Sequence, residues 1–175
     1  MTKHSSLSKC ALFAGSMTCA AVAVSLVAQM PTRLIWNVSA SVPTGLYALS
    51  SSEQLRRGDL VAIAPPEPLA SWLVQRGYIG HNAPLLKRVE ALPGARVCRS
   101  GARVSVNDVT RAMARERDRV GRPLPQWSGC RIVAKDELFL LNANRWASLD
   151  GRYFGPLPQR SVLGRATPVW TREEK

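Results

Sequence analysis

Ser39 and Ser41 stand two apart in the stretch Asn37-Val38-Ser39-Ala40-Ser41-Val42-Pro43-Thr44-Gly45. A serine hydroxyl attacks a carbonyl only when a neighbouring base takes its proton, so a serine in this setting directs attention to the bases the chain can offer. Lys87 is the leading candidate. It sits in Leu85-Leu86-Lys87-Arg88-Val89, where burial among apolar neighbours disfavours the ammonium form and leaves a neutral amine able to accept a proton. Beyond Lys3 and Lys9 the chain holds only Lys87, Lys135 and Lys175, which narrows the choice. A Ser41–His81–Asp150 arrangement is the rival, but His81 lies in Gly80-His81-Asn82, a turn-like setting that suits a solvated imidazole. Ser, Pro and Gly together are also what any turn uses, so Ser41 by itself marks little.

The ordered set carries more. After Ser39, Ser41, Pro43 and Gly45-Leu46-Tyr47 come Lys87-Arg88-Val89-Glu90-Ala91-Leu92-Pro93-Gly94, then Asn144-Arg145, then Asp150-Gly151-Arg152-Tyr153-Phe154-Gly155. This set resembles the type I signal peptidase family, and specifically its conjugative-transfer, TraF-type branch. The resemblance implies Ser41 as nucleophile in Ser-x-Pro-x-Gly and Lys87 as general base. It also implies an oxyanion hole formed by the Ser41 backbone N–H and the Ser39 hydroxyl, one such donor being worth about 3 kcal/mol. Asp150 falls in the family's C-terminal box, where it either orients Lys87 or holds Arg152. Gly151 stands where that box usually has serine, which puts in doubt a hydroxyl there that would orient the lysine. Ala95 stands where aspartate is common.

The activity so implied is that of a serine endopeptidase acting through an acyl-enzyme, with neither metal nor organic cofactor. The substrate would be the pilin precursor of a conjugative type IV secretion system, and the partners other mating-pair formation proteins. Hydrolysis and ring closure of the product stay open. So do two other readings: a non-catalytic exported scaffold of the conjugation apparatus, and a general signal peptidase.

These residues need elements to position them. No charge occurs between Lys9 and Arg33, and Ala11 to Ala28 is apolar or small throughout, near the lower limit of what spans a bilayer. Residues 1–30 therefore read as a helical membrane anchor or signal segment with its N-terminus in the cytoplasm. Retention as an anchor and removal at Ala21-Val22-Ala23 or Ala23-Val24-Ser25 both remain open. Residues 31–175 read as one exported catalytic domain at the periplasmic, outer face of the inner membrane.

The 175 residues carry a formal charge of +12, and a basic surface beside a membrane is drawn to anionic head groups or acidic partners. Arg111, Arg115, Arg117, Arg119 and Arg122 could touch phosphates. They are interleaved with Glu116 and Asp118 and lack an aromatic residue for base stacking, so the run reads as a solvated face and no direct nucleic-acid contact is expected. Cys98 and Cys130 lie in the exported part, where an oxidising compartment favours a disulfide. With only His81 as a nearby imidazole the ligands are too few for a metal site.

The domain reads as mostly β, in agreement with the signal-peptidase-like fold that the resemblance implies. Strands are expected at Leu46–Leu49, Gly58–Ala64, Leu85–Val89, Arg96–Cys98, Arg103–Val106, Glu137–Leu141 and Ser161–Trp170. A helix is expected at Leu69–Arg76, and a long loop from Asn142 to Pro158. Val109–Arg119 is ambiguous, since its Ala, Met, Arg and Glu favour helix by propensity while its place lies among strands.

Overall fold

The computed structural model describes residues 33–172. The apolar segment within residues 1–30 lies outside them, and among the described residues no helix is long and apolar enough to cross a membrane.

The described chain is mostly β, with every named strand pair antiparallel. Its strands are β1 (Arg33–Asn37), β2 (Thr44–Ser50), β3 (Leu60–Ile63), β4 (Leu85–Ala91), β5 (Arg96–Ser100), β6 (Arg103–Val106), β7 (Val109–Met113), β8 (Gly129–Ile132), β9 (Glu137–Leu140), β10 (Leu157–Pro158) and β11 (Val162–Arg172). Helix α1 (Leu69–Gln75) crosses between β3 and β4, and a single turn of helix, α2 (Gly151–Phe154), precedes β10. A seven-stranded sheet has the order β1-β2-β11-β3-β4-β9-β10, and a four-stranded sheet the order β7-β6-β5-β8.

Side-chain alternation explains how the larger sheet serves two cores. On β3, Val61 and Ile63 pack with Leu73 of α1, Leu85, Val89, Leu138 and Leu140. Leu60 and Ala62 turn the other way, to Val42, Tyr47, Leu49, Leu86 and Ala166. A strand with a core on each face loses the polar alternation of a half-exposed strand, and all four residues of β3 are buried. The same parity governs β4, where Lys87 shares the face of Leu85 and Val89. The smaller sheet closes a third cluster, in which Val97, Val104, Val106 and Ala112 meet Phe139, Leu141 and Tyr153.

The expected strands are present within a residue or two at most ends, as is the expected helix. Strands β1, β8 and the two-residue β10, which lies at the end of the expected loop, were not anticipated. Val109–Arg119 resolves into strand over Val109–Met113 and then an irregular excursion. The cause lies at Asn107-Asp108, whose φ values of 47° and 66° make a tight two-residue turn between Val106 and Val109. The expected loop from Asn142 to Pro158 contains α2, whose first turn is capped by the Asp150 side chain accepting from the Arg152 N–H at 3.2 Å.

Gly45, the last residue of Ser-x-Pro-x-Gly, has a physical reason to be glycine. Its φ is +144°, and a Cβ there would lie 2.1 Å from the Trp170 carbonyl oxygen on β11. Absence of a side chain lets β11 close on β2 directly behind the Ser41 loop. On the outer face of this sheet Trp36 of β1 stacks on Trp170 with ring centroids 5.7 Å apart, and Leu34, Val38 and Val169 are also exposed.

The disulfide expected between Cys98 and Cys130 is formed. The two residues are direct partners across β5 and β8. All four residues of β8 are exposed, so the bond fastens an edge strand that buries little of its own surface.

Candidate active site

Ser39 and Ser41 lie in the turn between β1 and β2, and Asn37 shapes that turn. Its Nδ2 donates to the carbonyls of Ser39, Val42 and Pro43 at 2.9, 3.3 and 3.1 Å. This leaves Oδ1 as the acceptor for the Ser39 N–H at 3.1 Å and the Ser39 hydroxyl at 3.0 Å. Ser39 Oγ is also 3.1 Å from Ser41 Oγ. With the Ser39 proton directed at Asn37 Oδ1, which can only accept, the Ser41 hydroxyl is the donor of that contact. The Ser41 N–H has no acceptor among the described residues. Asn37 was missed in the sequence, although an asparagine two residues ahead of a serine turn is a side-chain-to-backbone signal.

Lys87 is 3% exposed. Burial pushes its amine down from the ordinary 10.5 to about 8; the Asp150 carboxylate pulls it back up and the Arg152 guanidinium pushes it further down. Its Nζ donates to Ser148 Oγ at 3.1 Å. The hydroxyl beside the lysine thus comes from three residues earlier in the same loop, and the doubt about a hydroxyl at position 151 stands. Gly151 could not carry it. A Cβ there would lie 2.7 Å from both the Leu140 carbonyl oxygen and the Phe139 ring.

Asp150 and Arg152 form a buried ion pair, with side chains 0% and 1% exposed. Asp150 Oδ1 accepts from Arg152 Nε at 2.8 Å, and Oδ2 from Arg152 Nη2 at 3.1 Å and from the Asn142 N–H at 3.1 Å. Of the two roles open for Asp150, direct contact is made with Arg152. On Lys87 it acts through space, by its charge.

Asn142, also missed in the sequence, ties these parts together. Its Nδ2 donates to the Ser41 carbonyl and to the Leu86 carbonyl, both at 3.1 Å, and its Oδ1 accepts from the Arg88 N–H at 3.1 Å. It therefore grips the residues on either side of Lys87 and the Ser41 turn at once. The side chains of Asn144 and Arg145 are exposed; the loop is held by Asn142, by Arg152, which donates to the Asn142 carbonyl at 2.9 Å and the Trp146 carbonyl at 3.5 Å, and by the backbone bonds Arg145 N–H to Asn142 O and Ser148 N–H to Arg145 O, both 3.0 Å.

Ser39, Ser41, Lys87 and Ser148 line one cavity of 490 Å³ with apolar walls from Leu73, Ile79, Leu85, Leu149 and Tyr153. A second cavity of 750 Å³ also borders Ser41, along Pro43, Arg88 and Asn142. His81 borders neither and is exposed in its turn, so the structure gives no support to a Ser41–His81–Asp150 triad. Cys98 and Cys130 also border neither cavity. No group of three or more His, Cys, Asp or Glu residues is gathered as a metal site among the described residues.

Of the arginine run read as a solvated face, Arg115, Arg117 and Arg119 are exposed and Arg111 and Arg122 half-buried, and most of the run is also a cavity wall. Arg115, Arg117, Asp118, Arg119, Val120 and Arg122 border the same space as Ser41. The excursion is fastened to α1 and the turn after it: Tyr78 Oη donates to Asp118 Oδ2 at 2.5 Å, Arg76 Nη1 to the Pro123 carbonyl at 2.8 Å and Arg122 Nη1 to the Arg76 carbonyl at 3.0 Å. Desolvation acts to raise the Asp118 carboxyl, but hydrogen bonds from Tyr78, Arg122 and Val120 hold it well below the usual carboxylate range.

A conjugal transfer protein TraF of Agrobacterium fabrum is 38% identical over 150 residues, covering 77% of this chain and 81% of its own. A plasmid transfer protein TraF of Escherichia coli is 32% identical over 145 residues, with the same shares of 77% and 81%. A crystal structure of a signal peptidase I from Enterococcus faecalis is 23% identical with a TM-score of 0.40, covering 67% of this chain and 100% of that one. The family profile of signal peptidase, peptidase S26, matches residues 7–171, and the chain belongs to that family.

Proposed function

We propose that the chain is a serine endopeptidase with a Ser41/Lys87 dyad that matures the pilin precursor of a conjugative transfer system. The observation that carries the reading is the buried Lys87, its amine lowered to about 8, bordering one cavity with Ser41. Neutral Lys87 takes the Ser41 proton as Oγ attacks the scissile carbonyl, and the charge developing on the carbonyl oxygen falls to the unoccupied Ser41 N–H. Ser39 contributes by turning its hydroxyl from Asn37 Oδ1 toward that oxygen. The leaving amine takes the proton back from Lys87, and the acyl-enzyme is resolved by water or by a substrate amine. Leu85, Leu149 and Ile79 suit small apolar side chains beside the cleaved bond.

The conjugative role is supported by the likeness to the two transfer proteins. A site at the outer face of the inner membrane is supported by the apolar N-terminal segment and by the exposed Trp36, Trp170 and Leu34 on the β1–β2–β11 face, since indole rings favour the membrane interface.

A fluorophosphonate probe followed by peptide mass mapping tests the dyad: wild type is labelled on Ser41, and Ser41→Ala and Lys87→Ala are not. Labelling of Lys87→Ala at the wild-type rate would sink the dyad. The mass of the pilin from cells with and without the protein tests the substrate, and a loss of water beyond cleavage would mark ring closure. Transfer restored equally well by wild type and Ser41→Ala in a deleted donor would leave the protein a scaffold.

A further inference from the structure

The wall of the Ser41 cavity formed by the excursion after β7 is cationic without being neutralised. Six arginines elsewhere have carboxylates: Arg57 and Arg111 share Glu90, and Arg96, Arg131, Arg152 and Arg165 pair with Asp108, Glu137, Asp150 and Asp59; others, such as Arg33, Arg103 and Arg160, have none among the described residues but border neither cavity. Around the cavity the one carboxylate is Asp118, and it is taken by Arg122 and Tyr78. Arg115, Arg117, Arg119 and Arg145 border the cavity and have no carboxylate partner among the described residues.

Two of these guanidinium groups are also placed in advance. Arg115 and Arg119 lie against the exposed Trp146 ring, 4.8 and 5.3 Å from its centroid, and the Arg115 N–H donates to Tyr153 Oη at 3.1 Å. A guanidinium held on an aromatic face keeps its planar fork of donors free for a carboxylate and loses less side-chain entropy on binding one. Four like charges gathered at the mouth of a low-dielectric cleft repel one another unless an anion arrives.

We propose that Arg115, Arg117, Arg119 and Arg145 receive a carboxylate of the peptide lying across Ser41, so that the preferred substrate carries an acidic group within a few residues of the bond cut. The proposal rests on reading this cavity as the peptide site. The carboxylate comes from an Asp or Glu side chain or from the C-terminus of a substrate cut near its end. An anionic lipid head group is the competing occupant; the peptide is favoured because the same cavity holds Ser41 and Lys87.

The test uses the full chain carrying Ser41→Ala, in neutral detergent, so that binding is read without turnover. Three alanine-rich octapeptides with a neutral fluorophore differ only in charge: one Glu with an amidated end, Gln in its place, and the Gln peptide with a free C-terminal carboxylate. Fluorescence anisotropy should show the Glu peptide, the free-terminus peptide or both binding about tenfold tighter than the uncharged one. The stronger of the two identifies the source. The gap should close in Arg115→Gln/Arg119→Gln, and shrink in Arg145→Gln, whose native side chain makes no hydrogen bond among the described residues. Equal binding of all three peptides, or a gap that survives both variants, overturns the proposal. So does equal peptide binding together with loss of sedimentation on phosphatidylglycerol vesicles, which assigns the wall to lipid. Fluorophosphonate labelling of the chain with Ser41 intact, run in parallel, reports failure of the dyad separately from failure of carboxylate recognition.

Discussion

The Asn142 side chain donates to the carbonyl of Ser41 across 101 residues of sequence, at 3.1 Å. The same amide holds the Leu86 carbonyl and the Arg88 N–H, and the Asn142 N–H donates to Asp150. One buried residue thus fixes the Ser41 turn, the strand that carries Lys87 and, through its backbone N–H, the loop that carries Ser148. A misplacement of about 1 Å between reacting groups can cost about a hundredfold in rate. Asn142 is therefore a positioning residue, acting through Ser41 and Lys87.

Asn142→Leu should lower both stability and acylation. It leaves the Leu86 carbonyl and the Arg88 N–H without side-chain partners, and an unsatisfied buried polar group costs about 1–3 kcal/mol. Asn142→Asp keeps the acceptor for Arg88 but adds negative charge near Lys87, which favours the ammonium. The rising limb of the pH–rate profile should then move to higher pH. An unchanged profile in Asn142→Asp, measured by fluorophosphonate labelling at each pH, would limit Asn142 to a structural role.

The pH dependence of the wild type follows from Lys87. With its amine at about 8, labelling of Ser41 should fall about tenfold per pH unit well below that value as the ammonium takes over. Stability runs in the same direction. The unfolded chain binds the Lys87 proton more tightly than the folded one, so between about pH 8 and 10.5 the unfolded state holds more protons and stability rises with pH. Lys87→Met should accordingly unfold at a higher temperature than wild type at pH 7, with a smaller advantage at pH 10, while losing all labelling. A lower melting temperature at pH 7 would contradict a strained ammonium.

Much of this was legible in the residues, and the limits have physical causes. Ser41 and Lys87 stand out in the sequence because the proposed nucleophile and base must be particular side chains, and the apolar flanks of Lys87 foretold its burial. Ser148 and Asn142 could not be read from local spacing, because their partners lie across the sheet. The arginine run was legible as charged and exposed. That it also walls the cleft depends on the Asn107-Asp108 turn and on the clamp at Arg76 and Tyr78. Strand β8 was hidden because its Gly129-Cys130-Arg131-Ile132 is exposed throughout and carries no burial pattern, although the pairing of its Cys130 with Cys98 was foreseen.

Ser148→Ala should slow labelling by roughly tenfold or more, since Lys87 loses the hydroxyl that aims it at 3.1 Å. Ser148→Thr should restore part of that rate where the larger side chain fits. Gly151→Ser, which would restore the usual family residue, should instead destabilise by about 1–3 kcal/mol, because its Cβ meets the Leu140 carbonyl and the Phe139 ring at 2.7 Å. A stable Gly151→Ser protein that labels faster than wild type would return the orienting role to that position.

The disulfide separates stability from chemistry. It closes a loop of 32 residues, worth about 3–4 kcal/mol in the chain-entropy account. The loop contains β6, β7 and the arginine excursion, whereas Cys98 and Cys130 border neither cavity at Ser41. Cys98→Ser/Cys130→Ser should therefore melt at a clearly lower temperature and yet, well below that temperature, keep the wild-type rate of Ser41 labelling and the wild-type pH profile. Peptide selectivity is the more sensitive readout, because an unfastened β8 frays next to the segment that returns from the arginine wall. Loss of the labelling rate in the folded double variant would show that β8 supports the dyad directly. Unchanged melting would show that edge pairing alone holds the strand.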